Sequence, residues 1–255
     1  MLKYRDITLQ RLDKFTSSDQ WKDVNLSAQL YPNVEAGEEW VKIKVFSVPE
    51  LKRIPFEEAT KGDFQEAKVH QEFGPSWSTH WFHISVKVPS HWKGQKVEFH
   101  WDGNGEGLIW TKEGSPIHGL TGGTGGDRRV EYVLTEKAQG NEQVEFYIEH
   151  ACNGMFGNGD GISAPDPNRK YRLSTAHLVT VNETAIQLLR DFEVVRGIAK
   201  ELPKESNQGA KALYTANEIV NAFRRQDPES MKKCREIAKE FFKERNGTSQ
   251  HAIAI

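Results

Sequence analysis

The chain has 255 residues and a mass of 29.0 kDa, room for one large domain or two modest ones. Its net charge of −2 and pI near 6.5 argue against a nucleic-acid partner, and no basic run suggests a membrane surface. Hydrophobic residues at 37% and aromatic residues at 10% exclude wholesale disorder, because they suffice for a sizeable core.

The pattern along the chain starts helical. Tyr4, Ile7, Leu12 and Phe15 recur at roughly helical spacing, which predicts a short amphipathic helix over residues 3–16. Residues 21–31 are irregular. Val41, Ile43 and Val45 alternate with Lys42 and Lys44 and read as a strand. Residues 49–73 show no period and are read as a long crossing loop. A Gly-Pro turn then carries Trp77 and Trp81 into the strongest strand of the chain. There Phe82, Ile84, Val86 and Val88 face one way, and His83, Ser85 and Lys87 the other.

Val97, Phe99 and Trp101 mark another inward-facing strand, and Leu108–Thr111 a short one. The run Gly119-Leu-Thr-Gly-Gly-Thr-Gly-Gly126 reads as loop. Alternation resumes over 129–134 and 143–149. Strands at this spacing, with no helices between them, predict an antiparallel β-sandwich of jelly-roll type over residues 1–182, counting the N-terminal helix. From Thr184 the period changes. Ile186, Leu189, Phe192, Val195 and Ile198 predict a helix ending before Pro203, and Leu213, Ala216, Val220 and Phe223 a second. Asp227-Pro228 starts a third. Residues 183–250 thus read as a helical connector, and 251–255 as the start of a further strand. The fold class expected is mainly β with α.

No catalytic set emerges from the residues. His80 and His83, three apart on a strand, point to opposite faces and cannot share a metal. Gly103-Asn-Gly-Glu-Gly107 and the 122–126 run match neither GxGxxG nor GxxxxGK, and neither leads into a helix. Asp102 and Glu106 could form a glycosidic carboxylate pair, but a flexible turn between them fixes no geometry, and solvated turn acids are the simpler reading. No serine lies in GxSxG, and His150 near Cys152 is a weak nucleophile–base pair. Trp77, Trp81, Trp101 and Trp110 could stack on pyranose faces, with Asp102, Asn104 and Glu106 bonding hydroxyls. They could equally be packing anchors, and Trp101 fits the inward set.

The two cysteines, Cys152 and Cys234, form no CxxC pair and fit a reduced, intracellular setting. The first residues lack the apolar run of a signal peptide, so the sequons at Asn25, Asn182 and Asn246 read as chance. No segment is long enough to span a bilayer.

Several strings resemble one family. Phe73-Gly-Pro-Ser-Trp-Ser-Thr-His-Trp-Phe82, Asp102-Gly-Asn-Gly-Glu-Gly-Leu-Ile-Trp110, Ala151-Cys-Asn-Gly-Met-Phe-Gly157, Ala164-Pro-Asp-Pro-Asn168 and Ala212-Leu-Tyr-Thr-Ala-Asn217 are similar to the amino-terminal region of cytosolic and vacuolar α-mannosidases of glycoside hydrolase family 38. The resemblance runs from about Trp21 to the end, in the family's order. It implies a non-catalytic β-sandwich and helical connector preceding a zinc-dependent catalytic domain, which opens with a Cys-His-Ile-Asp segment. Ser249-Gln-His-Ala-Ile-Ala-Ile255 is similar to the run-up to that segment, so the chain reads as a fragment.

On this reading no cofactor belongs to the chain itself, and zinc belongs to the full-length enzyme. Its partners are the catalytic domain and, through it, a mannose-containing oligosaccharide; a homo-oligomer of the full-length enzyme stays open. The location implied is cytoplasmic, or a vacuole or lysosome reached without a signal peptide. A further expectation is that the loop from Asn153 to Gly161 serves the catalytic domain, with Phe156 at the interface and Asn153, Asn158 and Asp160 bonding sugar or partner. Met155 and Phe156 could instead fold back on the sandwich. The alternative to the whole reading is a self-standing carbohydrate-binding or protein-interaction sandwich.

Overall fold

A computed structural model of the chain describes residues 4–124, 128–154 and 166–246. Two compact units result. One comprises residues 33–180; the other joins residues up to 32 with those from 181 onward. The N-terminal helix therefore belongs with the C-terminal helices and not with the sandwich, which corrects the expected boundaries at 1–182 and 183–250. Residues 251–255 lie outside the described residues.

The helical unit holds α1 (Arg5–Thr16), and the sandwich unit a single turn, α2 (Phe56–Ala59). The remaining helices of the helical unit are α3 (Glu183–Glu201), α4 (Asn207–Ala222) and α5 (Pro228–Asn246). Asn182 caps α3 by accepting from the Ala185 N–H at 3.1 Å, and Ser206 caps α4 from Gly209 at 3.2 Å. The fully buried stripe of α3 is Ala185, Leu188, Phe192, Val195 and Ala199, a 3.6-residue period; Leu189 and Ile198, expected at its centre, sit on its shoulders. On α1 Leu12 and Phe15 are buried and Leu9 packs half-buried beside them, while Ile7, and Tyr4 just before the helix, are exposed. Phe15 meets Phe192 and Phe223 edge-on, with centroids 4.9 and 5.1 Å away. Two of the three sequon asparagines serve the backbone here. Asn182 is the cap just named, and buried Asn25 donates to the carbonyls of Lys14 and Ser17.

In the sandwich the strands run β1 (Val34–Ala36), β2 (Val41–Ser47), β3 (Gln65–Ala67), β4 (Glu72–Phe73), β5 (Thr79–Lys87) and β6 (Val97–Asp102). There follow β7 (Glu106–Trp110), β8 (Pro116–Thr121), β9 (Glu131–Thr135), β10 (Gln143–Ala151), β11 (Tyr171–Arg172) and β12 (Thr175–Thr180). A six-stranded sheet, β3-β2-β5-β10-β7-β8, packs on a four-stranded one, β1-β12-β6-β9; β4 and β11 pair separately. Each described pairing is antiparallel. The expected inward residues of β2, β5, β6 and β10 form one core, in which Phe82 meets Trp101 at 4.7 Å and Phe99 meets Phe146 at 5.4 Å.

Two stretches differ from expectation. The glycine-rich run is partly strand: β8 pairs with β7 through Gly119 and buries Leu120. At a sheet edge, one anchoring side chain suffices. The crossing loop is also structured. Phe56 of α2 covers the outer face of the large sheet, stacked 5.6 Å from Trp110 and edge-on to Trp81 and Tyr147. Isolated aromatic anchors carry no period and so escape detection by pattern.

Glycines let the loops at one end of the sandwich pack on buried polar groups. A Cβ on Gly103 would lie 2.5 Å from His150 Cε1, and one on Gly122 would run into the Asp102 carboxylate. Asp102 is itself a clamp. Its Oδ1 accepts from the N–H groups of Asn104 at 2.9 Å and Gly123 at 3.0 Å. Its Oδ2 accepts from Arg128 Nε and Nη2 at 3.2 and 3.1 Å. Changing Asp102 to Ala strands those donors, and should lower unfolding stability by roughly 2 kcal/mol in urea titrations. A change within about 0.5 kcal/mol would contradict the clamp.

His80 is buried between the hydroxyls of Ser78 and Ser47, each 2.9 Å from a ring nitrogen. Burial holds His80 down to about 4 and, aided by the charge His80 would carry, His150 down to about 3, against 6.5 for a free imidazole. Both rings are neutral in the fold, whereas the unfolded chain takes up protons below about 6.5. The stability this confers is complete above pH 6.5 and drains as pH falls towards the folded values. The urea midpoint should therefore be lower at pH 5 than at pH 7, with a smaller gap in His80→Gln. Equal midpoints at the two pH values would refute this.

Candidate functional site

A cleft of about 510 Å³ opens on the outer face of the six-stranded sheet. Its floor follows from register. Ala151 lies opposite Thr79 on one side and Glu106 on the other, and Glu149 lies opposite Trp81 and Leu108. Because neighbours across antiparallel strands share a face, these residues point away from the core together. Leu51, Arg53, Trp77 and Asn153 complete the lining from the loops.

The turn 74–78 sets Trp77. Its backbone is left-handed, with φ 64°, a conformation that costs a non-glycine residue on the order of 1 kcal/mol. Hydrogen bonds on either side hold it there. The Trp77 N–H donates to the Cys152 carbonyl at 2.9 Å, the Cys152 N–H to Ser78 at 2.9 Å, and the Ser78 hydroxyl to the Pro75 carbonyl at 2.6 Å. The result is an indole left 45% exposed at the cleft, beside a half-exposed Leu51.

The polar groups are planar and converge. Arg53 donates to Glu149 Oε1 through Nη2 at 2.9 Å and Nε at 3.3 Å. Glu149 is 8% exposed, while the Arg53 side chain is largely in solvent. Asn153 Nδ2 donates to Glu106 Oε2 at 2.5 Å. Two carboxylates face one guanidinium and one amide, and among the described residues no lysine lines the cleft.

Of the residues singled out by sequence, the fold brings Trp77, Glu106 and Asn153 together here. It withdraws others. Trp81, 1% exposed, and the half-buried Trp110 belong to the Phe56 cluster, and Trp101 to the inner core. Asp102 is the loop clamp at the end of β6, so it forms no carboxylate pair with Glu106 on the other sheet. Asn104 is exposed at φ 59° and does not line the cleft. Phe156, Asn158 and Asp160 lie outside the described residues, as does Met155. Arg53, Glu149 and Leu51 went unnoticed in the sequence: two sit in a segment without period, and Glu149 reads as an ordinary outward strand residue.

Other chemistry is weakly provided. His80 faces inward and His83 outward, as strand parity requires. Among the described residues no group of three or more His, Cys, Asp or Glu is placed to hold a metal ion. Burial pushes the Cys152 and Cys234 thiols up to about 11, which makes them poor nucleophiles. No described helix is long and apolar enough to cross a membrane.

Comparison with known proteins is consistent along the whole chain. The family model described as α-mannosidase, jelly roll domain, matches residues 34–179. α-Mannosidase G of Dictyostelium discoideum is 39% identical over 256 residues, covering 99% of this chain and 23% of that protein. Human α-mannosidase 2C1 is 38% identical over 99% of this chain and 24% of its own length. The α-mannosidase of Saccharomyces cerevisiae is 38% identical over 71% of this chain and 17% of its own. The chain thus spans about a quarter of the length of the first two relatives. With the family match extending over both sheets of the sandwich, the chain belongs to the α-mannosidase family through its jelly-roll domain.

Proposed function

We propose that this chain forms the non-catalytic amino-terminal part of an α-mannosidase. That enzyme removes terminal α-D-mannose from free or glycoprotein-derived oligosaccharides during their breakdown in the cytoplasm. The observation that carries the reading is end-to-end similarity to proteins named α-mannosidase, at 38–39% identity over 99% of the chain. On this reading the zinc ligands and catalytic carboxylates lie in the remaining three quarters of the polypeptide, the chain's principal partner. The sandwich would supply a rigid platform for that partner, and oligosaccharide would be met by the two together.

A chimera tests this. The chain replaces the corresponding quarter of Dictyostelium α-mannosidase G, and hydrolysis of an aryl α-mannoside is followed. The chimera should regain activity that the deleted enzyme lacks, whereas the 255-residue chain alone should release no product and retain no zinc through dialysis. An inactive but folded chimera would overturn the reading, and so would hydrolysis by the isolated chain.

A further inference from the structure

We propose that the Trp77 cleft is a binding subsite for a neutral hexopyranose. The volume of about 510 Å³ falls within the range of small-ligand sites and accommodates one or two sugar rings. Its composition is selective. A pyranose presents an apolar C–H face and a rim of hydroxyls, and both are met. The Trp77 indole offers a flat, half-exposed platform. Glu106, Glu149 and Asn153 offer hydroxyl acceptors, and the exposed guanidinium of Arg53 and the amide of Asn153 offer donors.

Two features distinguish this arrangement from an ordinary surface hollow. A large aromatic ring left half in water is expensive in apolar exposure, and here a strained backbone holds it out in place of letting it fold away. The polar groups are also pre-paired. Arg53 with Glu149, and Asn153 with Glu106, hold each other in fixed orientations before any ligand arrives, so little ordering remains at binding.

Charge then narrows the ligand class. Two carboxylates against one guanidinium leave the cleft short of positive charge, which disfavours uronates, sialic acids and sugar phosphates. Hydrogen bonds donated by uncharged hydroxyls to carboxylates carry no such penalty. The neutral pyranose follows from this geometry alone; choosing a mannoside as the first probe rests on the enzyme reading above.

The indole N–H resonances of the chain report on the proposal directly. Methyl α-mannoside, methyl α-glucoside, methyl β-galactoside and glucuronate are titrated in turn. Trp21, 47% exposed in the helical unit, serves as an internal control for non-specific effects, and buried Trp81 and Trp101 as controls for unfolding. A neutral glycoside should shift the Trp77 signal saturably, with Kd of about millimolar for so small a ligand. Trp77→Ala should weaken binding about tenfold or more, and Trp77→Phe less, at unchanged thermal midpoint.

Assignment of the shifted indole in the wild-type chain decides the matter even where Trp77→Ala misfolds. A silent Trp77 with every neutral glycoside, shifts shared with Trp21, or glucuronate binding as tightly as the neutral sugars would each overturn the proposal. Binding of another neutral glycoside in place of the mannoside would uphold the subsite and count against the enzyme reading. A silent cleft in a chain whose chimera is active would do the reverse.

Discussion

The structure rests on β5 being buried from both sides. Inward, Phe82 meets Trp101 of the opposing sheet with ring centroids 4.7 Å apart. Outward, Trp81 is roofed by Phe56. A strand covered on one face can slip or fray, but one covered on both must give up apolar burial twice over to move. The turn that precedes β5 is therefore anchored, and Trp77 within it inherits that rigidity.

Anchoring extends to the loops beside it. Gly103 and Gly122 allow the backbone to close on His150 and Asp102, and Asp102 ties the segment around Asn104 to Gly123 and Arg128. These glycines have the composition of a phosphate-binding loop without its geometry, since no helix N-terminus follows them. Their role is close approach. The polar interior at this end includes the imidazole of His80, held by two serine hydroxyls, and the carboxylate of Asp102, paired with Arg128; a sandwich tolerates such groups when their partners are in place.

The cleft lies on the outer sheet face beside the Phe56 cluster, where that cluster does not cover it. An outer face wholly roofed would be ordinary core, and one wholly bare would be an apolar liability. Division between the two creates a hollow whose floor is strand and whose rim is loop, so rigid and adaptable elements border the same volume. Contact at such a hollow need not disturb the inter-sheet core, which lies on the other face of the sheet.

Periodicity in the sequence determined the sandwich and the helices. Strand alternation in β2, β5, β6 and β10, and helical repeats in α3 and α4, are local properties of side-chain direction and survive without knowledge of partners. The resemblance strings likewise placed the chain in its family. Pairing was less legible. The short strands β1, β3, β4 and β11 carry too few residues to show a period, and the chain crosses from β12 to β6 over more than seventy positions.

Only the tertiary structure decided which tryptophans face solvent. Trp77 and Trp81 stand four residues apart in the same string, yet one is 45% exposed and the other 1%. The difference comes from Phe56, distant in sequence, and from a left-handed backbone at position 77 that composition does not announce. The same holds for Arg53 and Glu149, whose pairing spans 96 positions. Local pattern determines which way a side chain points; what lies there to meet it is set by where the rest of the chain packs.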